Sequence, residues 1–520
     1  MRGYNKKETK FLVEGFTHGF KIPYEGEEGP LLAQNSPSTQ QNPQAVQANI
    51  DKELLAGRIA GPFKEPPFPN FKSSPIGLIP KKDPGHYRTI HNLSYPYRSG
   101  SVNHGISHAN STVQYASFNQ AINILNTLPS GAFLAKSDIR SAFRLLPIHP
   151  QSYHLLGFSW EGQYYYDKCL PFGLASSCQI FERFSTALQW ILQHKLGVKY
   201  VTHLLDDFLF MGVTYRDCSR SLNTFLSLSE YLGIPIAHDK TVLPTHELTY
   251  LGITINTRSR QTSLPPDKVL KASSLIHEAL DFSHLTLRQL QSLIGTLNFA
   301  CAVITPGRPF LRKLIDLTKG VSGSKYRIPL TTETKNDLLI WDEFLTSFNG
   351  KALILYQEPI LDSTLNLYTD AAQSVGFGAT FASHWFQHRW PSGWQSFHIS
   401  VLELYPIFVA LSTWAPLLAN HTIILHSDNT AVVHVLNSRT AKDAQLLHLI
   451  RKITLISLSH NVNYRAVHIP GKSNLLADAL SRFQECPMQF ALVKMDQSPT
   501  QISSQLLPSN FIWPPQPTAS

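Results

Sequence analysis

In Tyr200–Gly212, YVTHLLDDFLFMG, two adjacent aspartates, Asp206 and Asp207, interrupt an apolar, strand-forming run. Val201, Leu204 and Leu205 lead in; Phe208, Leu209 and Phe210 lead out. The pattern predicts strand, tight turn, strand, with the acids at the tip. Like charges side by side repel, and burying them uncompensated is costly. A pair at the mouth of an apolar hairpin suits a hard divalent cation, whose preferred ligands are carboxylate oxygens. A polar turn between two core strands satisfies the same pattern, so the rest of the chain must decide.

At 520 residues, several domains are expected. Lys and Arg outnumber Asp and Glu by 45 to 36, a balance that favours a polyanionic partner such as nucleic acid. Cys169, Cys178, Cys218, Cys301 and Cys486 are scattered with no C-x-x-C pair. Neither a disulfide framework nor a zinc finger is indicated, and an intracellular, reducing setting is expected, cytoplasm or nucleus. The N-terminus has no apolar signal core, and no stretch reads as long and apolar enough to span a membrane.

Residues 1–42 read as a polar extension with a flexible end. Ile76–Ser94 predicts a hairpin turning at Asp83-Pro84-Gly85 and carrying Lys81, Lys82 and Arg88. It is either a solvated basic hairpin or a grip for triphosphate. Asp138 ends an apolar strand in AFLAKSDIRSAFRLLP, where it could serve as a helix cap; Phe143 follows five residues on. In LPFGLASSCQIFERF, Gly173 after Phe172 would let a base or nucleotide approach the backbone, or simply start a helix. Leu287, Leu290, Leu293, Ile294 and Leu297 recur at helical spacing behind Thr286, a core stripe.

From about residue 360, strands alternate with helices, which implies a separate α/β domain. Asp370 and Asp428 end strands in it, while Glu403 and Asp478 fall on helices. Four acids converging on a sheet rim would hold two divalent metals and suit phosphodiester hydrolysis. His468, ten residues before Asp478, could move protons. Beyond Cys486 the chain turns Gln/Ser/Pro-rich and reads as a flexible tail or linker.

In order, KKDPGHYR, SDIRSAF, LPFGLASS, LLDD and LTYLGI, then LYTD, LELYP, HSDN and HIPGKSNLLADALSR, resemble the motif sets of a retroelement reverse transcriptase followed by an RNase H domain. The resemblance spans roughly residues 45–485. It implies an α+β multidomain chain: a right-hand polymerase with fingers and palm over 43–260, a helical thumb or connection over 261–357, an α/β RNase H-like domain over 358–485, and a tail over 486–520. It further implies Asp138, Asp206 and Asp207 as polymerase metal ligands, and Lys81 and Arg88 as triphosphate contacts. Phe143 falls at the aromatic gate against a ribose 2′-OH, Phe172 and Gly173 beside template and incoming base, and Lys240 at the general acid for pyrophosphate. In the second set, Asp370, Glu403, Asp428 and Asp478 become metal ligands and His468 the mobile histidine. Leu204 departs from the usual tyrosine of the Tyr-x-Asp-Asp box, which puts a hydrogen bond to the primer end in doubt.

The implied cofactor is Mg²⁺, two ions per site, with Mn²⁺ as substitute. The implied partners are an RNA template, a DNA primer, an RNA–DNA hybrid and dNTPs, with no membrane. TLRQLQSLIGTLNFACAVITPGRPFLRKLIDLTKG and the insert WFQHRWPSGWQS resemble DIRS-type retrotransposons, which implies a tyrosine recombinase encoded downstream. His448 and Arg451 form a recombinase-like His-x-x-Arg, but they fall inside the RNase H pattern, on a helix between Asp428 and Asp478. Two other classes stay open: a catalytically silent nucleic-acid-binding relic, and a chain in which the RNase H alone is active.

Overall fold

The computed structural model describes residues 3–81, 85–97, 99–348, 352–353, 365–419, 421–460, 462–484 and 495–513. The chain divides into two compact units, Met1–Leu251 with Ile255–Arg260, and Gly252–Thr254 with Gln261–Ser520. Lys82, Asp83, Pro84 and Cys486, the expected boundaries after residues 357 and 485, and the end of the tail from residue 514 lie outside the described residues.

The first unit opens with helix α1 (Lys6–His18), whose first turn is capped by the Asn5 side chain on the amides of Lys7 and Glu8. Leu12 and Phe20 are buried, and Arg183 donates to both Glu8 oxygens at 2.7 and 3.1 Å. The expected flexible extension is thus corrected: Phe11 and Leu12 give an apolar edge that the surrounding charges hide in a composition reading. Strands β1 (Ile76–Pro80) and β2 (Tyr87–His91) form the basic hairpin, with Ile79 opposite Arg88.

Strand β3 (Phe133–Asp138) is followed by helix α2 (Ser177–His194), then β4 (Val201–Leu204), β5 (Asp207–Gly212), helix α3 (Tyr215–Tyr231) and β6 (Val242–Thr245). The four strands make an antiparallel sheet in the order β6-β3-β5-β4. Residues Phe208 to Gly212 are all buried, because β5 is an inner strand covered on both faces. That explains an unbroken apolar run where a half-exposed strand would alternate. Phe208 and Phe210 meet Phe225 of α3 with ring centroids 4.8 and 5.3 Å apart. Burying each such ring stabilises by roughly 2–3 kcal/mol, so β5, the strand that carries Asp207, is anchored from below.

In the second unit, helix α4 (Leu287–Ala300) starts at a capping box between Thr286 and Gln289, and Leu290, Leu293 and Leu297 are core. Helix α5 (Thr332–Glu343) precedes the α/β part: β7 (Asn366–Ala372), β8 (Gly376–Phe381), β9 (His384–Arg389), α6 (Ile399–Leu418), β10 (Thr422–Ser427), α7 (Ala444–Ser459), β11 (Asn463–His468) and α8 (Leu475–Ser481). Its sheet order is β9-β8-β7-β10-β11; the first three strands are antiparallel and the last two join in parallel.

Three sequence expectations change here. The supposed insert WFQHRWPSGWQS begins with β9, the third strand of this sheet. Helix α6 is long and apolar enough to cross a membrane by length and composition, against the earlier reading, but 78% of its apolar window is buried inside the fold. Residues 495–513 of the tail pack rather than dangle. Tyr405 donates to the Leu506 carbonyl at 2.9 Å, Trp385 to the Asp496 carbonyl at 2.9 Å, and Phe511 and Trp513 join the aromatic cluster of Trp394 and Tyr405.

Candidate functional site

Strand pairing brings the first set of acids together. Asp207, the first residue of β5, sits directly opposite Asp138, the last of β3. Asp206 occupies the adjoining turn, and its carbonyl accepts the Ile139 amide at 3.2 Å. Burial, and then the Asp138 carboxylate, pushes Asp206 up to about 6; the same two causes raise Asp207. Lys240 Nζ lies 3.1 Å from Asp138 Oδ2 and neutralises part of the cluster.

A cavity of about 590 Å³ opens beside these acids, with Asp138, Asp206 and Lys240 on its wall together with Lys81, Arg88, Phe143 and Phe172. The Arg88 guanidinium lies over the Phe172 ring, 4.8 Å from its centroid, and the Phe143 ring is 5.1 Å from the same ring. The backbone locks this corner: the His91 amide donates to the Phe172 carbonyl at 3.1 Å, and Gly173 follows with φ +113°. A Cβ there would stand 1.9 Å from the His91 carbonyl oxygen, so only glycine fits.

One network on the cavity wall has no sequence signal. Arg144, next to Phe143, donates to Asp167 at 2.6 Å and to Glu53 at 3.0 Å, and His91 lies 3.1 Å from the same Asp167 carboxylate. Burial opposes ionisation of Asp167, but Arg144 and His91 outweigh it and hold the carboxyl below its usual range. Isolated charged residues in separate segments give a reader nothing to join them by.

In the second unit, Asp370 on β7, Glu403 on α6 and Asp428 just past β10 each bring a carboxylate oxygen within 4.8 Å of the others. Among the described residues, Asp138, Asp206 and Asp207 are not drawn together to that distance. Asp478 on α8 is close enough to raise Asp370 and Glu403, but it is engaged by Arg482 at 2.7 Å and stands outside the triad. Burial pushes Asp370 up to about 6, against a 2.6 Å hydrogen bond from Ser481, with Asp478 and Asp428 adding to the rise. Burial, followed by Asp370 and Asp428, carries Glu403 well above the usual carboxylate range. His468 ends β11 with Nε2 3.1 Å from the Asp428 carbonyl. Arg451 pairs instead with buried Asp337 and covers Phe310, which gives it a packing role.

Both clusters fit a hard divalent cation. Their acids are held against mutual repulsion, and Glu403 Oε2 is buried with no hydrogen-bond partner. The pH consequence has a definite sign. Asp206 and Asp370 rise from the usual 3.8 to about 6. Their contribution to stability is therefore present below about pH 4 and lost as pH rises through about 6. A bound cation relieves that repulsion only where the acids are charged. A divalent cation is expected to raise the melting temperature by about 2–5 °C at pH 7.5 and by under about 1 °C at pH 5, read by calorimetry. Equal shifts at both pH values would contradict the assignment.

Residues 79–255 match the family described as reverse transcriptase (RNA-dependent DNA polymerase). The chain is similar to the genome polyprotein of Petunia vein clearing virus (22% identity over 374 residues, 70% of this chain). It is also similar to the Gag-Pro-Pol polyprotein of sheep pulmonary adenomatosis virus (24% over 318 residues, 59%) and the Gag-Pol polyprotein of Koala retrovirus (26% over 301 residues, 55%). It spans 16% of the length of each. Among solved structures, it resembles the foamy viral protease-reverse transcriptase dRH in complex with ds DNA (TM-score 0.52, 18% identity, 89% of this chain and 79% of that one). It also resembles the foamy viral protease-reverse transcriptase in complex with RNA/DNA hybrid (TM-score 0.51, 19% identity, 89% and 61%). The fold is accordingly α+β: a right-hand polymerase followed by an RNase H-like domain.

Proposed function

We propose that the chain is an RNA-directed and DNA-directed DNA polymerase that also degrades the RNA strand of the hybrid it makes. The observation that carries the polymerase reading is the register of β3 against β5, which sets Asp138 opposite Asp207 at the mouth of a cavity lined by Lys81 and Arg88. Mg²⁺, or Mn²⁺ in its place, held by Asp138, Asp206 and Asp207 and separately by Asp370, Glu403, Asp428 and Asp478, would activate the attacking hydroxyl or water and offset phosphate charge.

The chain's own groups do the rest. Lys81 and Arg88 bind the triphosphate, Arg88 as a two-pronged donor. Phe172 and Gly173 lie by the template and the incoming base, with Arg88 over the Phe172 ring. Lys240, which pairs with Asp138 at 3.1 Å, protonates the departing pyrophosphate. In the second unit, His468 carries protons at the edge of the acid cluster. Template and hybrid are recognised through backbone and shape rather than sequence.

Phe143 is the residue that excludes the ribose 2′-OH. Phe143→Ala is expected to lower discrimination for dNTP over rNTP by about 100-fold in kcat/KM, measured by single-nucleotide primer extension. Unchanged discrimination removes this role. A place among DIRS-type retrotransposons rests on the TLRQLQSLIGTLNF stretch, since the supposed insert supplies an ordinary sheet strand. A tyrosine recombinase coded in the same element would support that placement, and an integrase there would count against it.

A further inference from the structure

We propose that Glu182 is a positioning residue for nucleotide addition. Its buried carboxylate fixes the Leu205–Asp206 turn and so sets where Asp206 presents its oxygens. This rests on the polymerase reading of the first acid cluster.

The turn joins β4 to β5 through two residues, and the first of them, Leu205, has φ +53°. A branched, non-glycine residue in the left-handed region holds only where its surroundings impose it. Two hydrogen bonds do so from opposite sides. The Ile139 amide donates to the Asp206 carbonyl at 3.2 Å, and the Leu205 amide donates to Glu182 Oε2 at 3.1 Å. The first bond comes from the strand end that carries Asp138. The second comes from α2, in the same stretch as Phe172 and Gly173.

Glu182 is an unexpected acid at this place. It is 8% exposed, close to a cluster that already repels negative charge. Its other oxygen lies 3.2 Å from His203 Nε2, a close contact without hydrogen-bond geometry. His203 Nδ1 is 2.5 Å from Gln189 Oε1, and its ring stacks on Phe208, with centroids 5.1 Å apart. Gln189, His203, Glu182 and the Leu205 amide thus form one chain of contacts from the body of α2 into the turn. A carboxylate serving only the stability of α2 would have no need to accept the one amide that precedes Asp206. Displacing a reacting group by about 1 Å costs on the order of 100-fold in rate, so loosening this turn should act on turnover rather than on nucleotide binding.

Glu182→Met keeps chain length and removes the acceptor, whereas Glu182→Gln keeps an acceptor oxygen. Hydrogen exchange of the segment 201–212, followed by mass spectrometry, is expected to quicken at least about tenfold in the Met variant and to stay near wild type in the Gln variant. In primer extension the Met variant should lose about 30- to 100-fold in kcat with KM for dNTP within about threefold, and the Gln variant should recover most of that loss. Hybrid cleavage by the second unit serves as the internal control and should not change. Should the Met variant fail to fold, Glu182→Asp retracts the acceptor by one methylene and should give the same signature at smaller size. Equal losses in Met and Gln variants, unchanged exchange, or full activity with a loosened turn would each overturn the proposal. Wild-type protein that extends no primer would overturn the polymerase reading and this inference with it. Wild-type extension with an indifferent Met variant would overturn this inference alone.

Discussion

Asp206→Asn is expected to cut primer extension by about a thousandfold or more while leaving cleavage of a hybrid's RNA strand within about twofold. The exchange replaces one oxygen by an amide nitrogen of nearly the same size, so the turn keeps its shape and loses its charge. The protein should be no less stable. Burial and the Asp138 carboxylate already push Asp206 up to about 6, so at neutral pH the charged form is held at a cost that asparagine removes. Activity and stability are expected to move in opposite directions, which separates a site residue from a core residue. The measurement is extension of a labelled primer on RNA, with calorimetry of the same preparation. Loss of both activities in a folded variant would contradict a two-site account.

The converse variant is Asp428→Asn. It is expected to remove hybrid cleavage by about a thousandfold or more and to leave the rate of the first nucleotide additions unchanged, so that full-length DNA accumulates still paired to intact RNA. Asp428 lies between buried Ser427 and Asn429, whose side chain caps the next helix at the amides of Ala431 and Val432. The backbone at Asp428 is therefore fixed by its neighbours, and the substitution acts on the triad with Asp370 and Glu403. Asp478 should be more tolerant than Asp428 in the free protein, because Arg482 already engages it. Extension and cleavage are read on one hybrid labelled on both strands. Residual cleavage near the wild-type rate would remove Asp428 from the site.

The acids were legible because their chemistry restricts where they stand. Asp138, Asp206 and Asp428 each close or follow a strand, a pattern that a sequence displays beside an apolar run. Asp370, expected at a strand end, instead lies within β7, two residues before Ala372, because the pairing with β8 runs on through Ala371 and Ala372. Phe143 and Gly173 stand out only through neighbouring motifs, since each alone reads as core or turn. Glu182 was hidden because one acid within ordinary helical sequence reads as solvated; its burial depends on His203 and Leu205, about twenty residues away. Strand β9 was hidden because His384–Arg389 has no clean alternation, and its pairing with β8 is what makes it a strand. The tail misled by composition: Gln, Ser and Pro suggested looseness, while Phe511 and Trp513 supplied enough aromatic surface to dock. Local pattern carried what is local, and the partners that pay attention to distance in space only appear once the chain is folded.

The most direct measurement is the anomalous scattering of Mn²⁺ in crystals of the protein with a primer–template hybrid. The account predicts peaks at two separate places, one among Asp138, Asp206 and Asp207 and one among Asp370, Glu403, Asp428 and Asp478. Peaks at only one of these clusters, or bound manganese held by other residues, would contradict it.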